Sequence, residues 1–180
     1  KLLAFNLDAI QAMPEALFRE KARAHGMRFH PDFMSALTTE QFDLLSDASR
    51  ERSKTLDDLF KSNGWLLLAD EALTWPISKP VRKAMLKGEV PGRILLEQAS
   101  EILQGVEVFE GESLESTLTA WAEVHCEGNL GKIAQPLRIA VTGGPVSPPI
   151  FDTLAMLGKE RCLARIKGCL AVMQDVANSA

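Results

Sequence analysis

Apolar residues recur at intervals of three and four along almost the whole chain, which limits the fold to helical architectures. This spacing places apolar side chains on one face of an α-helix. No stretch has the sustained alternation with β-branched residues that is typical of strands. Tyrosine, which strands favour, is absent from all 180 residues. The pattern therefore predicts an all-α protein.

Residues that commonly start or stop helices divide this pattern into segments. Pro14 is expected to open one helix and Gly26 to end it. Two threonines each match the start of a capping box, in which a threonine and a polar residue three positions later bond each other's backbone. These pairs are Thr38 with Gln41 and Thr55 with Asp58. Further helices are predicted over 81–87, 92–104, 113–128, 130–141 and 148–158, followed by a final helix.

The composition is that of a globular protein, with 46% hydrophobic and 24% charged residues. No apolar run approaches the roughly 20 residues that a membrane span needs, so we expect no membrane segment. The net charge of −4 argues against a general DNA- or RNA-binding protein, because phosphate binding favours a basic surplus. Residues 130–180, however, hold six basic and three acidic residues, a net +3 that leaves −7 for residues 1–129. A polyanionic partner is therefore expected at the C-terminal portion.

Few side chains suggest catalysis or metal binding. The three cysteines form neither an even set nor a close pair, so we expect reduced, buried thiols and a cytoplasmic protein. His25 and His30 lie five residues apart, but two ligands are too few for a metal site, so we expect no metal. The acidic pairs at 57–58 and 70–71 are expected on the solvated surface. No phosphate-binding glycine loop is present, and no catalytic residue is expected in the chain.

The segment 131–151 is the most informative part of the sequence and reads GKIAQPLRIAVTGGPVSPPIF. Two interpretations follow from its residues. In one, the helix start after Ser147 accepts an anion, while Arg138 and Ile150 hold an unpaired base. In the other, proline and glycine only fix an elbow between two helices, and Arg138 pairs with an acid. Both interpretations remain open on the residues alone.

The ordered motif in this region closely resembles the end of bacterial glutamyl-tRNA synthetases. It comprises the core G-x-x-x-Q-P-L-R-x-A-x-T-G, the helix start at Ser147-Pro148 and the run Leu-Gly-Lys-Glu-Arg that ends at Arg161. The beginning of the chain is similar to the segment K-L-x-x-x-N-x-x-x-I that follows the catalytic lobe in this family. The resemblance covers nearly the whole chain, weakly over 61–128 and strongly over 131–165.

The resemblance implies the tRNA-reading half of a class I aminoacyl-tRNA synthetase, which joins glutamate to its tRNA with ATP. The implied organisation is a stem-contact remnant over 1–30 and two helical anticodon-binding subdomains over 31–108 and 109–180. The sequence begins at Lys1 rather than Met, so we expect a fragment of a longer protein. The resemblance implies that the catalytic domain, with its ATP and Mg²⁺, lies before Lys1, so this fragment is expected to be inert alone. The expected partner is the anticodon stem-loop of glutamate tRNA, bound by a monomer that needs no cofactor.

The resemblance also implies roles for individual residues. Arg52 matches an arginine that contacts the third anticodon base and is similar to those of enzymes that accept only the glutamate tRNA. Its guanidinium suits the carbonyl acceptor of cytosine, whereas uracil would present an N–H donor. The alternative is that Arg52 caps the C-terminus of its helix. Arg138 matches the arginine that reads the first two bases. Three further positions match the loop and helix start that contact the anticodon: Ser147, Pro148 and Ile150.

One position departs from the family pattern, since an upstream arginine falls near Ala120 and that contact is expected to be absent. Four basic residues are expected to contact RNA phosphates or to balance helix ends: Arg50, Lys159, Arg161 and Arg165. A competing hypothesis is a non-catalytic helical protein-interaction module. It would bind a partner through apolar residues such as Trp65, Leu66 and Leu67.

Overall fold

The computed structural model describes residues 2–179, and every regular element in that range is helical, which confirms the all-α prediction. The α-helices are α1 (Leu2–Ala12), α2 (Glu15–Phe29), α3 (Pro31–Ser35), α4 (Thr39–Arg50), α5 (Leu56–Ser62), α6 (Lys79–Leu86), α7 (Gly92–Gly105), α8 (Gly111–His125), α9 (Gly131–Thr142), α10 (Ile150–Leu157) and α11 (Lys159–Asn178). Two short 3-10 turns lie between α5 and α6. No helix between residues 2 and 179 combines the length and the apolar character needed to cross a membrane.

The chain divides into two compact units, Lys1–Leu67 and Leu68–Ala180. The first contains α1 to α5 and the second contains α6 to α11. The resemblance predicts a boundary between the two anticodon-binding subdomains at 108/109. This position is in the loop between α7 and α8, inside the second unit. The functional roles expected for 1–30, 31–108 and 109–180 stay predictions.

In the first unit, α2 is the central element. It buries Phe18, Ala22 and Gly26. Two charged pairs join its solvent side to α4: Arg19 Nε donates to Asp47 Oδ1 at 2.7 Å, and Arg23 donates to Asp43 Oδ1 at 2.6 Å. The packed face and these pairs together fix α2 against α4.

The helix containing Gly26 continues to Phe29, so the prediction that Gly26 ends it is wrong. Pro14 is the residue before the helix rather than its first residue. Gly26 is buried, and a Cβ there would lie 2.5 Å from Met34 Sδ and 2.8 Å from Phe60 Cζ. The glycine therefore permits close packing within the first unit.

Both predicted capping boxes are confirmed. Thr38 Oγ1 accepts from the Gln41 amide at 3.2 Å, and the Gln41 side chain accepts from the Thr38 amide at 2.9 Å. Thr55 and Asp58 make the same reciprocal pair at the start of α5. Asp58 is therefore a capping residue, which corrects its expected place as a solvated surface group.

The second unit is organised around α7, α9 and α11, which pack against one another. Eight of the twelve residues of α9 are buried, so this helix is the centre of the unit. The cysteines are free and buried, as the sequence predicts: Cys126, Cys162 and Cys169. Burial raises the pKa of Cys162 and of Cys169 to about 12. Such thiols stay protonated at neutral pH and contribute packing.

Candidate nucleic-acid interface

The helices α9 and α10 meet at a tight loop over residues 143–149, two residues longer at its C-terminal end than the predicted helix start at 148 implies. Gly143 ends α9 with a φ of 80°, in the left-handed region. A Cβ at this position would lie 2.7 Å from the Thr74 carbonyl oxygen, so glycine is required for both conformation and space. Thr142 Oγ1 donates to the Arg138 carbonyl at 2.8 Å and closes the last turn of α9.

Arg138 lies at this corner, half-buried, with its guanidinium fixed from two sides. Its Nε donates to Ser147 Oγ at 3.0 Å, and one terminal nitrogen donates to Gln135 Oε1 at 2.8 Å. Gln135 in turn donates from Nε2 to the Pro145 carbonyl at 3.0 Å. The motif residues thus form a hydrogen-bonded chain across the loop, which orients Arg138 before any ligand arrives.

The other residues predicted to contact the anticodon at this corner are largely buried. Ser147 is 6% exposed and Ile150 is 5% exposed, and Pro148 is buried as well. Ser147 Oγ donates to the Pro148 carbonyl at 2.7 Å while accepting from Arg138. Ser147 therefore positions Arg138, and Ile150 supports the first turn of α10.

A concave surface at the corner, here called the corner cavity, brings Arg138 and Ile150 together with the start of α8 and of α10. Its lining includes three carboxylates, Glu112, Glu115 and Asp152. Burial, followed by repulsion from Glu115, raises the pKa of Asp152 above its ordinary value. The sequence did not single out these acids, because their spacing along α8 and α10 carries no sign of which helices converge.

The corner cavity combines guanidinium donors, carboxylate acceptors and apolar side chains. Ionised carboxylates repel a phosphate, but they accept hydrogen bonds from the amino and imino groups of a nucleobase. Arginine donates to base carbonyls and ring nitrogens. This mixed donor and acceptor set fits the edge of an unpaired base better than it fits RNA backbone.

Arg52 lies in the first unit, in the turn after α4, and its side chain is exposed. It stands beyond the last residue of that helix, Arg50. Arg50 is oriented differently: its guanidinium donates to the carbonyls of Gln11 and Met13 at 2.7 and 3.1 Å. Arg50 thus ties the end of α1 to α4, and its side chain is only 16% exposed.

Arg165 does not reach solvent, which contradicts its expected role at an RNA phosphate. It is 0% exposed and donates to Asp70 Oδ1 at 2.7 Å, to the Val141 carbonyl at 2.7 Å and to the Leu68 carbonyl at 2.8 Å. Burial lowers the pKa of Arg165, and Asp70 opposes this shift. Asp70 is therefore a structural partner, which corrects its expected place on the solvated surface.

The two remaining predicted phosphate contacts also bind acceptors within the second unit. Arg161 donates to Asp70 Oδ1 at 3.1 Å and to the Leu68 carbonyl at 2.7 Å. Lys159 Nζ donates to the Val106 carbonyl at 2.9 Å and fastens the loop before α8 to α11. Both side chains are half-buried. Their role at phosphates stays a prediction.

The structure gives no support to a protein-interaction surface at residues 65–67. Trp65 is 7% exposed and Leu66 is 6% exposed, so both belong to the core. Leu67 is 44% exposed, and one such side chain is ordinary for a protein surface. The apolar surface required by the competing hypothesis is therefore not formed there.

Another group of functional side chains lies in the first unit, where Asp57 joins His25 and His30. Hydrogen bonds from Lys61 and then from His30 hold the pKa of Asp57 well below its ordinary range. Asp57 is thus not a simple solvated acid as the sequence suggests. The sequence could not connect it to the histidines, because it lies 27 residues after His30.

A family model described as an anticodon binding domain matches residues 12–170. That match covers most of the chain. The chain therefore belongs to the anticodon-binding domain family.

The similar curated proteins are named glutamate–tRNA ligases. One from Corynebacterium efficiens is 30% identical over 172 residues, which is 95% of this chain and 34% of that protein. Glutamate–tRNA ligase 1 from Gluconobacter oxydans is 39% identical over 93% of this chain and 38% of its own length. Glutamate–tRNA ligase 1 from Alkalilimnicola ehrlichii is 41% identical over 68% of this chain and 25% of its own length. This chain thus spans well under half of these relatives.

Among solved structures, a glutamate tRNA ligase from Elizabethkingia meningosepticum, crystallised with its amino acid, has the same fold. The TM-score is 0.74, and the match covers 95% of this chain and 32% of that one. The sequence identity is 19%, so this similarity establishes the fold alone.

Proposed function

We propose that this chain is the anticodon-reading part of a glutamate–tRNA ligase and that it binds the anticodon loop of glutamate tRNA. The family match over residues 12–170 and the names of the relatives support this proposal. The observation that carries it is the fixed guanidinium of Arg138 at the corner cavity. This side chain is oriented by two motif residues, Gln135 and Ser147, and faces a surface suited to a base.

In this proposal, Arg138 contacts bases directly, and Ser147 and Gln135 keep its guanidinium in place. The carboxylates of Glu115 and Asp152 accept hydrogen bonds from base amino or imino groups. Ile150 and Pro148 form the apolar support beneath. Preorganised polar groups lose little side-chain entropy on binding, so the arrangement favours selectivity for particular bases.

Arg52 has a separate role in the proposal, at the third anticodon base. An exposed guanidinium can donate to the carbonyl oxygen and the neighbouring ring nitrogen N3 of cytosine, whereas N3 of uracil carries a hydrogen and is a donor. This difference would make the parent enzyme discriminate between glutamate tRNA and glutamine tRNA.

The whole protein would join glutamate to its tRNA with ATP, and ATP and Mg²⁺ would act in a catalytic domain outside this sequence. The 180-residue chain would then be inert alone, monomeric and active in the cytoplasm as part of the longer enzyme. RNA binding should be separable from catalysis.

The proposal is tested by titrating the chain with a labelled anticodon stem-loop of glutamate tRNA. Arg138→Ala is expected to weaken binding by about 1 to 3 kcal/mol, or roughly 5- to 150-fold, because a direct base contact is lost. Arg82→Ala removes the same charge from an exposed position on α6 and serves as the matched control. Equal losses in the two variants would contradict a base contact by Arg138.

A further inference from the structure

Three metal-binding side chains converge in the first unit. His25 lies on α2, His30 lies between α2 and α3, and Asp57 lies on α5. The Nε2 atoms of both histidines approach the same carboxylate oxygen, Asp57 Oδ1, at 3.5 Å for His25 and 2.6 Å for His30. All three donor atoms lie within 4.8 Å of one another.

The two imidazole rings are fixed by aromatic neighbours. His30 stacks on Phe60 with ring centroids 4.3 Å apart and an interplanar angle of 9°. His25 lies 4.8 Å from the Phe29 ring and 5.8 Å from the Phe60 ring. The donor atoms are therefore held by packed helices and rings, which reduces the cost of gathering them around an ion.

We infer that His25, His30 and Asp57 form a binding site for one Zn²⁺ ion. Two imidazole nitrogens and one carboxylate oxygen are a donor set that zinc accepts, with a fourth position left for water. At bond lengths of about 2.0 to 2.2 Å, tetrahedral ligand atoms stand roughly 3.3 to 3.5 Å apart. The His25–Asp57 distance of 3.5 Å already meets this value, and the His30–Asp57 distance of 2.6 Å must lengthen by less than about 1 Å. The donor atoms of the two histidines lie within 4.8 Å of each other and must approach by up to about 1.5 Å.

The surroundings permit entry of an ion. The side chains of His25, His30 and Asp57 are 23%, 25% and 31% exposed, so water reaches all three. Lys61 Nζ contacts the other carboxylate oxygen, Asp57 Oδ2, at 2.5 Å. This ammonium is on a side chain that is 72% exposed, so it can turn away into water when a divalent cation binds.

Bound zinc would join the α2–α3 corner to α5 and would stabilise the first unit, since the ion binds only the folded arrangement. This role is independent of the anticodon-reading proposal. The corner cavity and Arg138 belong to the second unit, so loss of zinc binding leaves the RNA test intact.

The test uses the metal-free chain without a polyhistidine tag and titrates Zn²⁺ in competition with a chromophoric chelator. We expect one zinc per chain, and at least about tenfold weaker binding in His30→Gln, because one of three protein ligands is lost. His125→Gln is the matched control, since His125 is an exposed histidine of the second unit. Unchanged affinity in His30→Gln would overturn the proposal.

A second variant guards against a fold defect, because His30 also packs on Phe60. Asp57→Asn keeps the size of the side chain and removes the anionic ligand. Circular dichroism establishes that each variant is folded before titration. With Co²⁺ as a spectroscopic probe, the wild-type chain should give tetrahedral visible absorption that zinc displaces and that Asp57→Asn lacks. Absence of this absorption in the wild type would mean that the cluster is only a hydrogen-bonded one.

Discussion

Arg138 and Arg165 are both basic residues of the segment that carries the family resemblance, yet their environments are opposite. Arg138 is half-buried at a concave surface, whereas Arg165 is fully buried on three acceptors. Residue type and spacing predict that both arginines lie on helices, but they do not predict how exposed each arginine is. Which arginine is buried depends on Asp70 and Leu68, which lie 95 and 97 residues before Arg165, so the sequence alone could not separate the two arginines.

Removing Arg165 should destabilise the protein strongly. Arg165→Met leaves Asp70 with one cation fewer and the buried Val141 carbonyl without this donor, so we expect a loss of about 3 kcal/mol in the free energy of unfolding. Urea unfolding followed by circular dichroism measures this. Lys167→Met is the matched control, because Lys167 is exposed on the same helix. Similar stability of the two variants would refute the structural role of Arg165.

At the scale of helices, local signals were sufficient where the stabilising groups are close in sequence. The capping pairs at Thr38 and Thr55 fix the starts of α4 and α5, and the sequence identified both. The sequence does not reveal the role of Gly26, because this role depends on Met34 and Phe60, which approach it only in the folded unit. The same reason applies to the candidate site. The sequence identifies the motif residues, but it does not identify the carboxylates, which come from helices that converge only in the folded unit.

Gly92 shows how tightly the helices of the second unit are packed. A Cβ at Gly92 would clash with the Ala84 carbonyl oxygen and would lie 2.7 Å from Pro136 Cγ. Gly92→Ala is therefore expected to lower the free energy of unfolding by about 2 kcal/mol or more, because backbone atoms cannot move aside cheaply. Chemical unfolding measures the change.

Gly105, at the other end of α7, provides the comparison. Apart from its chain neighbours and the backbone of its own helix, no atom of the described residues lies within 4 Å of a Cβ built there. Gly105→Ala should be neutral or should stabilise by up to about 1 kcal/mol, through helix propensity. If both alanine variants had the same stability, close packing at Gly92 would be refuted.

At the scale of the whole molecule, the basic surplus of residues 130–180 does not form a simple RNA-binding patch. Arg161 and Arg165 share Asp70, and Lys159 binds a carbonyl. Lys132 pairs with Glu127, and Arg138 donates to Ser147 and Gln135, so contacts within the protein engage five of the six basic residues. Charge counting predicts that a polyanion binds this part of the chain, which stays a prediction, but it does not reveal which basic side chains are already engaged within the protein. Burial and pairing decide this, and neither is a property of composition.

The buried thiols make stability depend on pH in the alkaline range. The pKa of Cys162 and of Cys169 is about 12 in the folded protein, compared with about 9 without burial. The unfolded chain therefore loses these protons first, and stability falls as pH rises above about 9, by roughly 1 kcal/mol per thiol per pH unit. Tyrosine is absent, so no phenol titrates in this window.

Urea unfolding at pH 8 and pH 10 measures this dependence. The double variant Cys162→Ala/Cys169→Ala should lose most of the difference between the two pH values, because neither position can then ionise. If the double variant kept the full pH dependence, the thiols would not be its source.

The central claim is that the chain reads anticodon bases, and two stem-loops that differ in one base test it most directly. One carries the glutamate anticodon, and the other has its third base changed from C to U, so length and phosphate charge are identical. We predict about tenfold tighter binding of the C-containing loop, as expected for one arginine–base contact, and loss of this preference in Arg52→Ala. Equal affinity of the wild-type chain for the two loops would contradict the account.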